Sequence, residues 1–321
     1  MNIPFVSQRV QKYWAEYEWS NIWAMFRNSR IPPKVCSNAC RGKLVIITGA
    51  TSGIGYAAAR LFASRGADIL AINRSREKSE TLCAELEKEF GAHCEFLLAD
   101  LALLDDMHRT AQYLRDMNRP IDILIHNAGI YLDRRTLTSD GIETTFAVNY
   151  LSNFVMNYTL AERLRNEGQA RIIMVGSEAY RFAAWGLHLE DINFDRRRYG
   201  GLKAYGAAKL AQILSMHQFH RLFEHSGVTI NTMHPGMVAT NTGRDNRPFY
   251  RWYKKNVIDK MSQTPDISAA ALYYLGVSPE IDGVSDTFFN LTTPEETTPP
   301  ACDRQAAEEL WNISIELGRL A

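Results

Sequence analysis

Tyr205 and Lys209 stand four residues apart in the stretch YGAAK. On a helix that spacing projects a phenol and an ammonium from one face. A phenol of pKa near ~10 is a poor base at neutral pH, and a neighbouring positive charge favours its phenolate. Such a pair can exchange a proton with a hydroxyl or carbonyl oxygen. A second stretch, LVIITGATSGIG from Leu44 to Gly55, runs an apolar segment into glycines at 49, 53 and 55. Glycines there permit a tight turn that lets backbone N–H groups approach a pyrophosphate closely, with Thr51, Ser52 and Ile54 filling the turn. The helix opening behind it adds its dipole and unpaired donors. A merely structural turn is the alternative.

These residues need a frame to position them. Short apolar runs occur at Leu44–Thr48, Asp68–Ile72, Cys94–Leu98, Ile121–His126, Arg171–Val175 and Val228–Met233. Helical patterns near 54–65, 75–89, 103–117, 142–167 and 203–225 lie between them. Strands apolar on both faces and alternating with helices imply parallel βαβ units. The expected fold is α/β, a Rossmann-type doubly wound parallel sheet in a single domain over 44–290. An aromatic, helical N-terminal extension precedes it at 1–43, and a loop (291–302) and amphipathic helix follow within 291–321.

The second run ends in LAINRSREK. A carboxylate here would accept hydrogen bonds from ribose hydroxyls and repel a 2′-phosphate; this chain has Asn73, then Arg74 and Arg76. A guanidinium fork pairs with phosphate, which predicts NADP(H), with Arg74 ahead of Arg76 as the partner. Solvated charges opening the next helix are the alternative.

Composition narrows the remaining classes. The chain has 321 residues, 46% of them apolar, with 36 basic and 36 acidic side chains, so net charge suggests no nucleic-acid partner. Five scattered cysteines without a CxxC pair favour reduced thiols and give no metal site. No stretch approaches the ~20 apolar residues of a spanning helix, and no signal peptide is legible. The expectation is a cytoplasmic protein with an optional peripheral membrane contact.

The order Thr48-Gly49-x-x-x-Gly53-x-Gly55, Ala99-Asp100, Asn127-Ala128-Gly129 and Tyr205-x-x-x-Lys209 resembles the short-chain dehydrogenase/reductase family over roughly residues 42–290. The resemblance implies that Asp100 and neighbouring Leu101 meet the adenine ring and that Asn127, Ala128 and Gly129 form the structural motif ending the fourth strand. Ser177, just past the fifth strand, would hydrogen-bond the substrate oxygen; a helix cap is its alternative. Asn149 would distort its helix and complete a proton relay with Lys209 and Tyr205, ahead of nearby Asn153. Tyr180 lacks a lysine four residues on. In HPGMVAT, Pro235, Gly236, Val238 and Thr240 would meet the nicotinamide and phosphates, with His234 structural.

The long Ser177–Tyr205 insert and the LW pair of the tail resemble the retinol dehydrogenase branch, which handles lipophilic alcohols, aldehydes and ketones. The 241–263 segment, with Phe249, Tyr250, Trp252 and Tyr253, reads as a substrate lid or as ordinary packing. The N-terminal aromatics (Tyr13, Trp14, Tyr17, Trp19, Trp23, Phe26) suit a membrane interface, the domain surface or a partner subunit. The family often pairs subunits through the helices near 103–117 and 142–167, so a homodimer is a further expectation. Two rivals share the fold: a cofactor-bound sensor or scaffold without turnover, and a reductase of conjugated C=C bonds.

Overall fold

The computed structural model describes residues 8–18, 23, 27–28, 30–236 and 263–320. The apolar runs form strands β1 (Leu44–Thr48), β2 (Asp68–Asn73), β3 (Cys94–Leu98), β4 (Ile123–His126), β5 (Arg171–Val175) and β6 (Thr229–His234). Two more, β7 (Thr287–Asn290) and β8 (Thr293–Pro294), extend the sheet. Its order is β3-β2-β1-β4-β5-β6-β7-β8, parallel throughout except for the β7–β8 pair. The chain leaves β1 toward one edge and returns beside it with β4, so the carboxyl ends of β1 and β4 flank a crevice.

The longer helices among the described residues are α1 (Gln8–Trp14), α2 (Gly53–Ser64), α3 (Arg76–Phe90), α4 (Leu104–Asp116), α5 (Ser152–Glu167), α6 (Gly201–Leu222), α7 (Pro265–Val277) and α8 (Arg304–Leu317). Helices α2, α3 and α7 bury Phe62, Leu82 and Leu272 against one sheet face. On the other, α4, α5, α6 and α8 bury Leu114, Phe154, Phe219 and Leu310. Strands covered on both sides explain why β1 is buried at every position.

Three details sharpen or depart from the expected pattern. The helix expected from 142 begins at Thr144 and passes through a π-helical stretch, Ala147–Leu151, before α5. The segment 291–302, expected as loop, contributes β8 and a 3₁₀ turn, Pro299–Cys302. In the N-terminal extension, Trp14 stacks on Trp185 at 6.1 Å, and the Tyr17 hydroxyl donates to Ala184 O at 2.7 Å. Lys12 and Tyr13 both reach Asp303, which also caps α8. The described part of the extension therefore packs on its own domain, with Trp14 and Trp23 exposed. Trp19 and Phe26 lie outside the described residues. No helix among the described residues is long and apolar enough to cross a membrane.

Candidate active site

The glycine turn closes between β1 and α2. Gly49 and Gly53 sit at φ +71° and +57°, where a side chain would be strained. Gly55 is helical, but a Cβ there would lie 2.2 Å from Gly49 O and 2.4 Å from Asn127 Nδ2, so only hydrogen fits. Asn127 secures the turn from β4 by donating to Thr48 O and Gly49 O, each at 3.0 Å. Thr48 Oγ1 in return accepts the N–H groups of Asn127 and Ala128 at 3.0 and 2.9 Å. Asn73 adds a third tie, accepting from Ala50 N at 2.8 Å and donating to Ser79 Oγ at 3.1 Å.

A dinucleotide fits this turn. Ser52, the residue capping α2, makes no side-chain cap bond, so the first N–H groups of α2 are left to a ligand such as a pyrophosphate. Thr51 is half-buried at the turn and Ile54 packs beneath it. Arg74 is exposed at the end of β2 and makes no ion pair among the described residues, whereas Arg76 lies 3.7 Å from Glu80. Asp100 accepts from Ala102 N at 3.0 Å, closing its own turn, with Leu101 buried behind it. Pro235 O accepts from Ser268 Oγ at 2.6 Å, and Gly236 has φ +76°. Val238, Thr240 and residues 241–262 lie outside the described residues.

The proton-transfer candidates meet beyond the ends of β4 and β5. Ser177 caps the 3₁₀ turn Glu178–Ala183 by accepting from Ala179 N at 3.1 Å. The same hydroxyl faces the Tyr205 phenol. The helix-cap alternative is thus present, and the hydroxyl that makes it also faces the phenol. Burial pushes the Tyr205 phenol up to about 12, and Ser177 pulls against that shift. Lys209 is fully enclosed, and burial pulls its ammonium down to about 7. Its Nζ donates to Val175 O at 2.7 Å and lies 5.6 Å from the Tyr205 ring centre. The phenol is therefore shifted upward, opposite to the lowering expected from a neighbouring positive charge.

Asn149 lies at the centre of the π-helical stretch. Its side chain clasps the backbone of Ile130, accepting from N at 2.7 Å and donating to O at 2.9 Å. Asn153 donates to Asn149 O at 3.2 Å, so its amide is spent inside the helix. A Cβ on Gly129 would lie 3.4 Å from Asn149 Oδ1, so the NAG turn and the distorted helix touch. Burial pulls His234 down to about 4, and its Nδ1 accepts from Glu178 N at 3.3 Å, which leaves it neutral and structural. Tyr180 is buried with its Oη accepting from Thr298 N at 3.2 Å.

Known proteins resemble this arrangement. The short chain dehydrogenase family model matches residues 43–187. Human (Homo sapiens) retinol dehydrogenase 14 is 34% identical over 85% of this chain and 85% of its own length. The chain belongs to the short-chain dehydrogenase family. Human WW domain-containing oxidoreductase, another relative, is 33% identical over 86% of this chain and 68% of its own. A short-chain dehydrogenase from Sphingobium yanoikuyae, solved in complex with NADPH, superposes with TM-score 0.58 at 25% identity, covering 73% of this chain and 83% of that one. As a short-chain dehydrogenase, this protein is an NAD(P)-dependent oxidoreductase.

Residues not singled out from sequence also shape the site. A Cβ on Gly206 would lie 2.6 Å from Ala179 O, so this glycine lets the Ser177 turn press against α6 beside Tyr205. Tyr131 meets the Tyr205 ring edge-on, centres 5.9 Å apart. Arg181 joins Glu178 to Glu295, whose side chain has 0% exposure and also accepts from Asn28 at 3.0 Å and Asn290 at 3.2 Å. Burial lifts Glu178 to about 7 against the pull of Arg181. The signal for Gly206 was its place beside Tyr205. Nothing local marked Tyr131 or Glu295.

Proposed function

We propose that this short-chain dehydrogenase is NADP(H)-dependent and interconverts a lipophilic carbonyl and its alcohol, of the retinoid, steroid or aldehyde class. The grouping of Ser177, Tyr205 and Lys209 beyond β5 carries the reading. When bound, the nicotinamide supplies or accepts the hydride. Ser177 donates to the substrate oxygen and stabilises charge as it develops there. Tyr205 holds its proton at neutral pH, as its raised pKa requires, and delivers it to a carbonyl oxygen during reduction. Lys209, drawn toward Val175 O beneath the phenol, supplies positive charge when protonated and replenishes the proton. Asn149 holds the turn after β4 against this group. Arg74 pairs with the 2′-phosphate, and Asn73 leaves that place without a repelling carboxylate. Asp100 and Leu101 border the adenine; Val238 and Thr240 complete the phosphate and nicotinamide contacts. The retinol dehydrogenase names of the relatives and the ring of Tyr131 support a lipophilic substrate.

Cofactor oxidation with retinal, steroid ketones and medium-to-long aldehydes tests the reading, each with NADPH and NADH. Tyr205→Phe is expected to lower kcat about 1,000-fold and leave NADPH affinity unchanged. Full activity in the variant, or NADPH binding without turnover in either direction across the panel, would sink the proposal.

A further inference from the structure

Sequence spacing suggested no cysteine pair, yet two of the five thiols meet. Helix α3 packs on edge strand β3 and brings Cys83 beside Cys94, the strand's first residue, with sulfurs 2.7 Å apart. Both are only partly covered and therefore reachable by a small oxidant. Cys36 and Cys40 are buried, and exposed Cys302 meets Thr297 in the C-terminal loop. We propose that Cys83 and Cys94 form a redox-active dithiol, which low-molecular-weight disulfides convert to an intramolecular disulfide that staples α3 to β3. The inference does not depend on the proposed substrate or cofactor.

Either sulfur can donate to the other across the 2.7 Å contact and so stabilise a thiolate on its partner, which lets either thiol attack first. In the first step the thiolate of one cysteine attacks one sulfur of oxidised glutathione, forming a mixed disulfide and releasing one glutathione thiolate. In the second, the other cysteine loses its proton to solvent and attacks the protein sulfur of the mixed disulfide, releasing the second glutathione. Two protein thiols are oxidised by two electrons and one glutathione disulfide is reduced. In a reducing compartment such pairs act as transient sensors rather than permanent cross-links.

The test incubates the reduced full-length protein with oxidised glutathione and follows intact mass, alkylation and peptide mapping. The wild type is expected to lose the mass of two hydrogens and yield a Cys83–Cys94 linked peptide. The link should reverse with dithiothreitol, and oxidation should raise Tm by several degrees, because the staple restricts the unfolded chain. Neither Cys94→Ser nor Cys83→Ser is expected to form the linked peptide, and a glutathionyl group on the remaining thiol of either variant should persist unresolved. Melting curves of both reduced variants establish that they are folded. A wild type whose two thiols stay alkylatable would overturn the proposal, as would a link between other cysteines.

Discussion

The proposed cofactor cradle at β1 and the proposed proton-transfer group beyond β5 belong to one sheet but are stabilised in opposite ways. The cradle is held in shape by neutral amide side chains whose hydrogen bonds are satisfied: Asn127 with Thr48 and Gly49, Asn73 with Ala50. The proton-transfer group encloses ionisable side chains at a cost. Lys209 is drawn down to about 7, Tyr205 pushed to about 12 and Glu178 lifted to about 7, each chiefly by burial. A cradle can be local and preformed because a pyrophosphate needs donors, not shifted acidities. Proton transfer needs groups removed from water, and enclosure that tunes them opposes folding.

That contrast can be broken on the cradle side most severely. Gly55→Ala places a methyl into Gly49 O, so the turn must open. NADPH affinity is expected to fall about 100-fold by calorimetry, alongside a lower Tm. An unchanged affinity would show that the turn is not the pyrophosphate site. Arg74→Ala should act more narrowly, weakening NADPH about tenfold while sparing NADH, as loss of one charge-assisted contact implies. Equal losses for both cofactors would remove Arg74 from the 2′-phosphate.

Lys209→Met tests the other half, with the smallest shift and a distinctive sign. The folded-state pKa of Lys209 lies below its ordinary value. Below pH ~7 the ammonium is charged in both states, and the folded protein bears the full desolvation penalty. Between pH ~7 and ~10.5 the unfolded state binds more protons, so wild-type stability recovers as pH rises. The variant should therefore melt about 5 °C higher at pH 6, lose that advantage by pH 10, and lose turnover throughout. A lower Tm at pH 6 would mean that the bond to Val175 O outweighs desolvation.

Some of this was legible in one dimension. The six apolar runs marked β1 to β6 because strands covered on both faces tolerate little polarity, and the three glycines marked the turn because no other residue fits it. Tyr205 and Lys209 declared themselves by helical spacing. The π-helical stretch at Asn149 was foreseen only through family resemblance, since no local propensity encodes it. Strands β7 and β8 passed unnoticed: β7 has only Phe288 and Phe289 as apolar residues, and β8 has two residues, Thr293 and Pro294, neither of which gives a strand pattern.

The parallel frame could be read from the alternation of apolar runs with helical patterns, and the glycine turn, the missing carboxylate at Asn73 and the phenol–ammonium pair from spacings shorter than one element. Tertiary structure alone decided that Gly206 lets Ser177 reach Tyr205, that Glu295 anchors Arg181, and that Cys83 meets Cys94. It also decided the acidities, since the dielectric around a side chain is set by whatever the rest of the chain packs against it.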